Sequence, residues 1–314
     1  MRTQPPILVA DIGGTKTRIA LGRREKGLGE IKSLFNDRIA DLQELLSREL
    51  AAEEAKQATM AVLAVAAPID EDRISLTNRA WSFSRSKLKQ ALKLKRLIVV
   101  NDFVAVAHAL PALTAKDVVS IGGGKGEPGE NLLACGPGTG FGVAALVRAA
   151  EPPIVLSSEA GHMVLGAASA ADRDIFARLA PGSKPLVIES ILSGPGLARL
   201  HQALCGQALS SNDVIAGANA GGKTALETVE VFLRVFGRVA GDLALAFNAR
   251  GGVYLAGGLG RGLAPFFAKS SFRKAFEEHP TYGERLAAIP TRVIVHPSPE
   301  LLGAFTLGLT QADD

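Results

Sequence analysis

Short apolar runs stopped by glycine recur along this chain and set its first reading. Ile7 to Ala10 is a continuous apolar run, broken by Asp11-Ile-Gly-Gly-Thr15 and followed by the apolar Ile19, Ala20 and Leu21. That pattern predicts strand, glycine turn, strand, a hairpin whose tip carries an acid and a threonine. Leu, Glu and Ala fall at helical spacing over residues 40 to 56, and Met60 to Ala67 is a buried-strand pattern ended by Pro68. Leu97 to Val100 predicts another buried strand, stopping at Asn101-Asp102-Phe103 before a helical run from Val104 to Leu110.

The opening pattern then returns. Asn131 to Cys135 is an apolar strand, Gly136-Pro-Gly-Thr-Gly-Phe-Gly142 a glycine turn and Val143 to Val147 a returning strand. Two such hairpins roughly a hundred and twenty residues apart suggest a duplicated unit. A long helical pattern, Leu226 to Phe247, precedes a strand at Gly252 to Leu255 and a third glycine cluster, Ala256-Gly-Gly-Leu-Gly260.

Composition narrows the class. At 314 residues the chain is about twice a ~150-residue domain, which favours two domains. Hydrophobic residues make up 47% and charged residues 21%, enough for a packed core. The net charge of +4 is spread along the chain, which gives little support to nucleic-acid binding. The densest basic stretch, Lys87 to Arg96, interleaves its charges with leucines and predicts the solvated face of an amphipathic helix. Cys135 and Cys205 are far apart, so neither a disulfide framework nor a thiolate zinc site is indicated, and a reducing cytoplasm fits. No apolar run is long enough for a signal segment or a membrane span.

The chemistry gathers at the turns. Glycine turns let backbone amides approach a phosphate chain without side-chain bulk, although glycine is also common at ordinary hairpin tips. Asp11 has the chemistry to hold a hydrated Mg2+, and Thr15 and Thr139 could add hydroxyl donors; taken alone, Asp11 is equally a turn-capping aspartate. Asp102 lies just past the carboxyl end of a buried strand, where ligands bind in open α/β sheets, or else caps the helix that follows.

Seven ordered motifs resemble those of bacterial glucokinases. They are Asp11-Ile-Gly-Gly-Thr-Lys-Thr-Arg-Ile-Ala-Leu21, Leu76-Thr-Asn-Arg-Ala-Trp81, Val100-Asn-Asp-Phe103, Gly136-Pro-Gly-Thr-Gly-Phe-Gly142, Glu159-Ala-Gly-His162, Glu189-Ser-Ile-Leu-Ser-Gly-Pro-Gly-Leu197 and Gly252-Val-Tyr-Leu-Ala-Gly-Gly-Leu-Gly260. The similarity extends to Ile294-Val-His-Pro and Leu301-Leu-Gly-Ala. It implies a two-lobed α/β actin-like ATPase fold, a duplicated ribonuclease H-like unit with a central cleft. It implies a small domain from 1–109 plus 300–314 and a large one from 110–299. The implied activity is ATP-dependent phosphorylation of the 6-hydroxyl of glucose, with ATP and Mg2+ as cofactors, in a cytoplasmic homodimer.

By the same resemblance Asp102 is the catalytic base, and Asn78, Asn101, Asp102, Glu159, His162 and Glu189 form the sugar shell. Gly13, Gly14, Thr15, Lys16, Gly138, Thr139 and Gly140 face the phosphates, Gly257 and Gly258 the adenosine, and Asp11 the Mg2+ through water. The residue types agree: carboxylates accept from vicinal hydroxyls, and phosphoryl transfer asks more of alignment than of a strong base. Asn78 also reads as a turn asparagine, and a lone histidine such as His162 as structural. Ala160 departs from the family pattern, in which a second glycine is common, and leaves the backbone freedom of that loop, with the fine sugar preference, open.

Three readings are set aside. Gly217-Ala-Asn-Ala-Gly-Gly-Lys-Thr224 satisfies the P-loop pattern, but no buried strand precedes it and Ser210 to Asp213 has the look of a helix start; helix, break, helix is expected there. Glu159-x-x-His162 is a single copy containing Gly161, unlike a di-iron bundle. No zinc-binding cysteine cluster follows His162 and no helix-turn-helix precedes Ile7, against a DNA-binding sugar sensor. The rivals kept are a kinase for another hexose, a donor such as ADP or polyphosphate, and a non-catalytic sugar-binding regulator.

Overall fold

A computed structural model of the chain describes residues 4–69, 71–76, 81–180 and 184–312. It separates into two compact units, Met1–Leu113 with Pro297–Asp314, and Thr114–His296.

The first unit is built on a six-stranded sheet. β1 (Ile7–Ile12) and β2 (Lys16–Arg23) form the expected hairpin, with Asp11 opposite Arg18, and β1 runs on through Asp11 rather than stopping before it. β3 (Gly27–Leu28) and β4 (Lys32–Phe35) extend the hairpin side. β5 (Met60–Val65) lies parallel to β1, a two-stranded flap follows as β6 (Arg73–Ser75) and β7 (Ser82–Ser84), and β8 (Arg96–Asn101) lies parallel to β5.

Alternation along β1 divides its side chains between two cores. Leu8, Ala10 and Ile12 join the cluster that contains Leu42, Leu45 and Leu46 of α1 (Leu42–Ala51). Ile7 and Val9 face the other way, onto Leu301, Ala304 and Phe305 of the C-terminal helix, Pro299–Ala312. Asp11 continues that second series, so it emerges on the face the C-terminal helix covers. The charged stretch expected as one helix from Lys87 to Arg96 is divided. α2 (Arg85–Ala91), capped by Ser84, ends before Lys93 turns the chain at φ +54°, and Arg96 already opens β8. Its leucines are buried and its lysines exposed, as the pattern required. α3 (Asp102–Ala109) follows β8 without a loop.

The second unit repeats the plan. β9 (Val118–Gly122) precedes the hairpin of β10 (Leu132–Pro137) and β11 (Phe141–Val147), with β12 (Ile154–Ser158) on the outer side of β11. β13 (Gly252–Leu255) is parallel to β10, and β14 (Thr291–Ile294) is parallel to β13. The order β2-β1-β5-β8 in one sheet and β11-β10-β13-β14 in the other match strand for strand in direction, which is the duplication the two hairpins suggested.

Helices α4 (Ala170–Leu179), α5 (Ile188–Ile191), α6 (Gly194–Cys205), α7 (Ser211–Asn219) and α8 (Lys223–Ala246) separate β12 from β13. Phe232 and Phe236 of α8 are fully buried, and Phe236 meets Phe141 edge-on at 5.7 Å. The P-loop-like string is helix, break, helix: α7 ends at Asn219, Gly221 turns at φ +82°, and α8 begins at Lys223.

Candidate active site

In the first unit the site residues gather at the carboxyl ends of β1 and β8. Asp11 is 5% exposed, and its Oδ2 accepts from Arg18 Nη1 at 2.8 Å across the hairpin. The turn beyond it is fixed by a residue with no obvious sequence signal, the fully buried Asn36. Asn36 donates from Nδ2 to the Gly13 carbonyl at 2.8 Å, accepts from Thr17 Oγ1 at 2.8 Å and gives its backbone N–H to the Thr15 carbonyl at 2.9 Å. Gly13 N–H donates to the Lys16 carbonyl, closing the turn. Thr15 and Lys16 are therefore held at an exposed tip, where Lys16 Nζ lies 4.7 Å from the centre of the Phe35 ring.

At β8, capping falls to Asn101, not to Asp102 alone. Asn101 is the N-cap of α3, its Oδ1 accepting from Phe103 N–H at 2.9 Å while its Nδ2 donates to the Ala67 carbonyl at 3.3 Å. Asp102 is the first helical residue, and its Oδ1 shares the Phe103 N–H. The residue keeps some accessible surface, yet its carboxyl is set deep. Burial first, and then the negative charge of Glu300, push its pKa from 3.8 to about 7 against the hydrogen bonds that favour the anion. Asp11 is likewise raised, by burial and then by Glu300, with Arg18 opposing and Asp102 adding to the rise.

Glu300 went unseen in the sequence. It sits in the first turn of the C-terminal helix, and two contacts give that helix its direction. A side chain at Gly308 would meet Ile7, at the start of β1, and a Cβ at Gly303 would come within 1.6 Å of the Ala105 carbonyl of α3. Eight residues of helix and four of strand both span roughly 12 to 13 Å. The helix therefore begins at the Asp11 end of β1, side by side with the start of α3. Glu300 Oε2 is enclosed there with no hydrogen-bond partner among the described residues. The signal available was Pro299-Glu300 as a helix start, but nothing local says which strand end it faces.

In the second unit the glycine turn is the hub. Gly138 N–H donates to the Gly140 carbonyl, and Gly194 N–H, at the start of α6, donates to the Gly138 carbonyl, both at 2.8 Å. Glu189, on α5, accepts from Phe141 N–H through Oε2 at 2.9 Å, and a Cβ at Gly140 would lie 2.3 Å from that oxygen. The loop carrying Glu159 and His162 is fastened to the same residue, because only glycine at 161 clears the Phe141 carbonyl, at 2.4 Å from a would-be Cβ. Glu159 and His162 are open to solvent, 65% and 63% exposed at the side chain, with His162 Nε2 4.0 Å from Glu159 Oε2. Ala160 is 4% exposed and its methyl belongs to the core, so the alanine turns inward and spares the loop's open side.

Gly257, at φ +88°, passes under Pro137, and Gly258 opens a short helix beside the same turn. Thr139 stands exposed at the tip. Asp11, Gly13, Gly14, Thr15, Lys16, Asn101 and Asp102 thus belong to one unit, and Gly138, Thr139, Gly140, Glu159, His162, Glu189, Gly257 and Gly258 to the other. Asn78 lies outside the described residues.

Two sheets of one hairpin-plus-parallel-strand design, each with a glycine turn at the carboxyl end of its hairpin strand, define the class: the actin-like two-domain ATPase fold. The sequence profile of the family described as Glucokinase matches residues 8–311. A glucokinase of Paramagnetospirillum magneticum is 41% identical, with 95% of each chain covered. One of Sinorhizobium medicae is 38% identical over 98% of this chain and 93% of its own. A crystal structure of a glucokinase from an Antarctic psychrotroph superposes with a TM-score of 0.87 at 33% identity, covering 97% of this chain and 98% of that one. The chain belongs to the glucokinase family, and so is a sugar kinase, a phosphotransferase.

Proposed function

We propose that this chain phosphorylates the 6-hydroxyl of D-glucose with ATP, and that Asp102 is the base. The observation that carries the assignment is Asp102 itself: a carboxyl at the end of β8, a half-buried parallel strand at the edge of the sheet rather than the fully buried one expected, with its pKa raised to about 7. A base with a pKa near the working pH is ionised in a useful fraction and still attracts the hydroxyl proton as the phosphoryl group arrives. Membership of the glucokinase family supports the reaction.

The sugar is held by Asn101 and Asp102 together with Glu159, His162 and Glu189, and by Asn78. Glu189 has a second task, since the oxygen it gives to Phe141 N–H ties the sugar shell to the phosphate turn. Gly13, Gly14, Thr15 and Lys16 from one turn and Gly138, Thr139 and Gly140 from the other take the phosphates, and Gly257 and Gly258 the adenosine. Each turn is closed by its own backbone bond, so little ordering is left for the moment of binding.

The carboxylates at the end of β1 suit Mg2+. Asp11 and Asp102 repel Glu300 in a buried setting where Arg18 is the neighbouring cation, and Glu300 Oε2 is orphaned there. No three acidic or histidine side chains among the described residues are close enough to hold a metal directly. Attachment through water, which Mg2+ favours, fits that spacing, with Asp11 as the chief holder and Glu300 beside it. Held there by Asp11 and Glu300, Mg2+ would offset the negative charge of the phosphates.

No described helix is long and apolar enough to cross a membrane, and a cytoplasmic homodimer is the assembly the resemblance favours. The test is a coupled ADP-formation assay over a panel of sugars and phosphoryl donors. The proposal expects glucose with ATP to give the highest kcat/KM. A higher value for another sugar, or for polyphosphate, would reassign the substrate, and sugar binding without turnover would make the chain a regulator.

A further inference from the structure

Away from the glycine turns, the second unit contains a directional relay that ends on an exposed thiol. His201 is 1% exposed and Thr228 is fully buried, and they meet where α6 packs on α8. Thr228 Oγ1 donates its proton to the Thr224 carbonyl at 2.8 Å. Only its lone pairs are left for His201 Nδ1, also at 2.8 Å, so Nδ1 carries the ring hydrogen. A neutral imidazole has one N–H, which makes Nε2 an acceptor, as assigned from these hydrogen bonds. That lone pair faces Cys205 Sγ at 3.2 Å, and Cys205 is exposed. The thiol hydrogen is donated to the His201 carbonyl at 3.1 Å, and a turn about the Cβ–Sγ bond brings it to the Nε2 lone pair 3.2 Å away.

We propose that Cys205, with His201 as its proton acceptor and Thr228 as the residue that orients His201, is a modification site for low-molecular-weight disulfides. Cys205 is the last residue of α6, with its sulfur beside the His201 ring one turn back. A base this close can take the thiol proton during attack. The thiol proton passes to Nε2 as the sulfur attacks one sulfur of the disulfide. The S–S bond breaks, a mixed disulfide forms on Cys205, and the departing thiolate takes up the proton. No outside oxidant is needed, because the incoming disulfide is reduced as Cys205 is oxidised. Cys135 is fully buried, with its thiol pKa pushed far up by burial, and takes no part.

The test uses the whole protein and the aromatic disulfide DTNB, with oxidised glutathione as the second probe and mass spectrometry to locate the adduct. The native protein is expected to release one equivalent of thiolate from Cys205, faster than free glutathione does, and to expose Cys135 only on denaturation. His201→Phe and Thr228→Val should each react roughly tenfold more slowly. Their rates should also climb with pH in step with ordinary thiol ionisation, whereas the native rate stays flatter. Glucose phosphorylation by both variants serves as the check that they are folded. Native-like rates and pH profiles in both folded variants would overturn the proposal, as would a native Cys205 no faster than glutathione.

Discussion

Asp102 is a carboxyl with its charge held back by burial, and that has a consequence for stability as well as chemistry. Its pKa is about 7 in the folded chain against 3.8 as the ordinary value, so between those values the folded state keeps a proton the unfolded state has released. Stability then falls as pH rises through that window and levels off above it. Asp102→Asn removes the titration. Its melting temperature relative to the native protein should climb from pH 4 to pH 7 and then hold, a gain on the order of a few kcal/mol at most. A difference that stays flat over that range would place the carboxyl in a wetter setting than the structure does. Glu300→Gln should lower the Asp102 pKa, because it removes the charge that adds to burial, and the midpoint of the kcat–pH profile should move down with it.

At the scale of elements, the hairpin and the C-terminal helix position the site. Asn36 holds three points of the first glycine turn, so Asn36→Ala should loosen the turn and raise KM for ATP several-fold while leaving most of the fold intact. Gly303 lets the C-terminal helix touch the backbone of α3, and Gly303→Ala should cost about 1 to 3 kcal/mol by overpacking, read as a lower midpoint in urea. Elements with local determinants are legible in the sequence. The strand at Gly252–Leu255 was bounded by glycine on one side and a glycine cluster on the other, and it lies where the pattern put it. The break at Gly221 was visible because two glycines interrupt a helical period. The short β6 and β7 have no usable period, and the basic helix is shorter than its pattern predicts because its leucines continue past Ala91 into the turn at Lys93. Glu300 and Asn36 were invisible for another reason: their meaning depends on partners far along the chain, Asp11 and Asp102 for one and Gly13 for the other.

For the molecule as a whole, the repeated sheet explains why two glycine turns so alike occur in one chain: each closes the first hairpin of its own unit. It also disposes of the P-loop pattern, whose lysine opens a helix in the second unit with no strand before it. Lys223→Ala should leave KM for ATP unchanged, and a large rise would restore a nucleotide site there. A homodimer would be seen as twice the 32.7 kDa chain mass in light scattering. The proposed reaction depends most on one carboxyl taking the hydroxyl proton. Its most direct test is the glucose-dependent kcat of Asp102→Ala beside the native enzyme across pH 5 to 9. The native kcat should rise with pH to a midpoint near the Asp102 value of about 7, and the variant should lose activity by roughly a hundredfold or more at every pH. A variant that keeps near-native kcat, or the same pH midpoint, would contradict it.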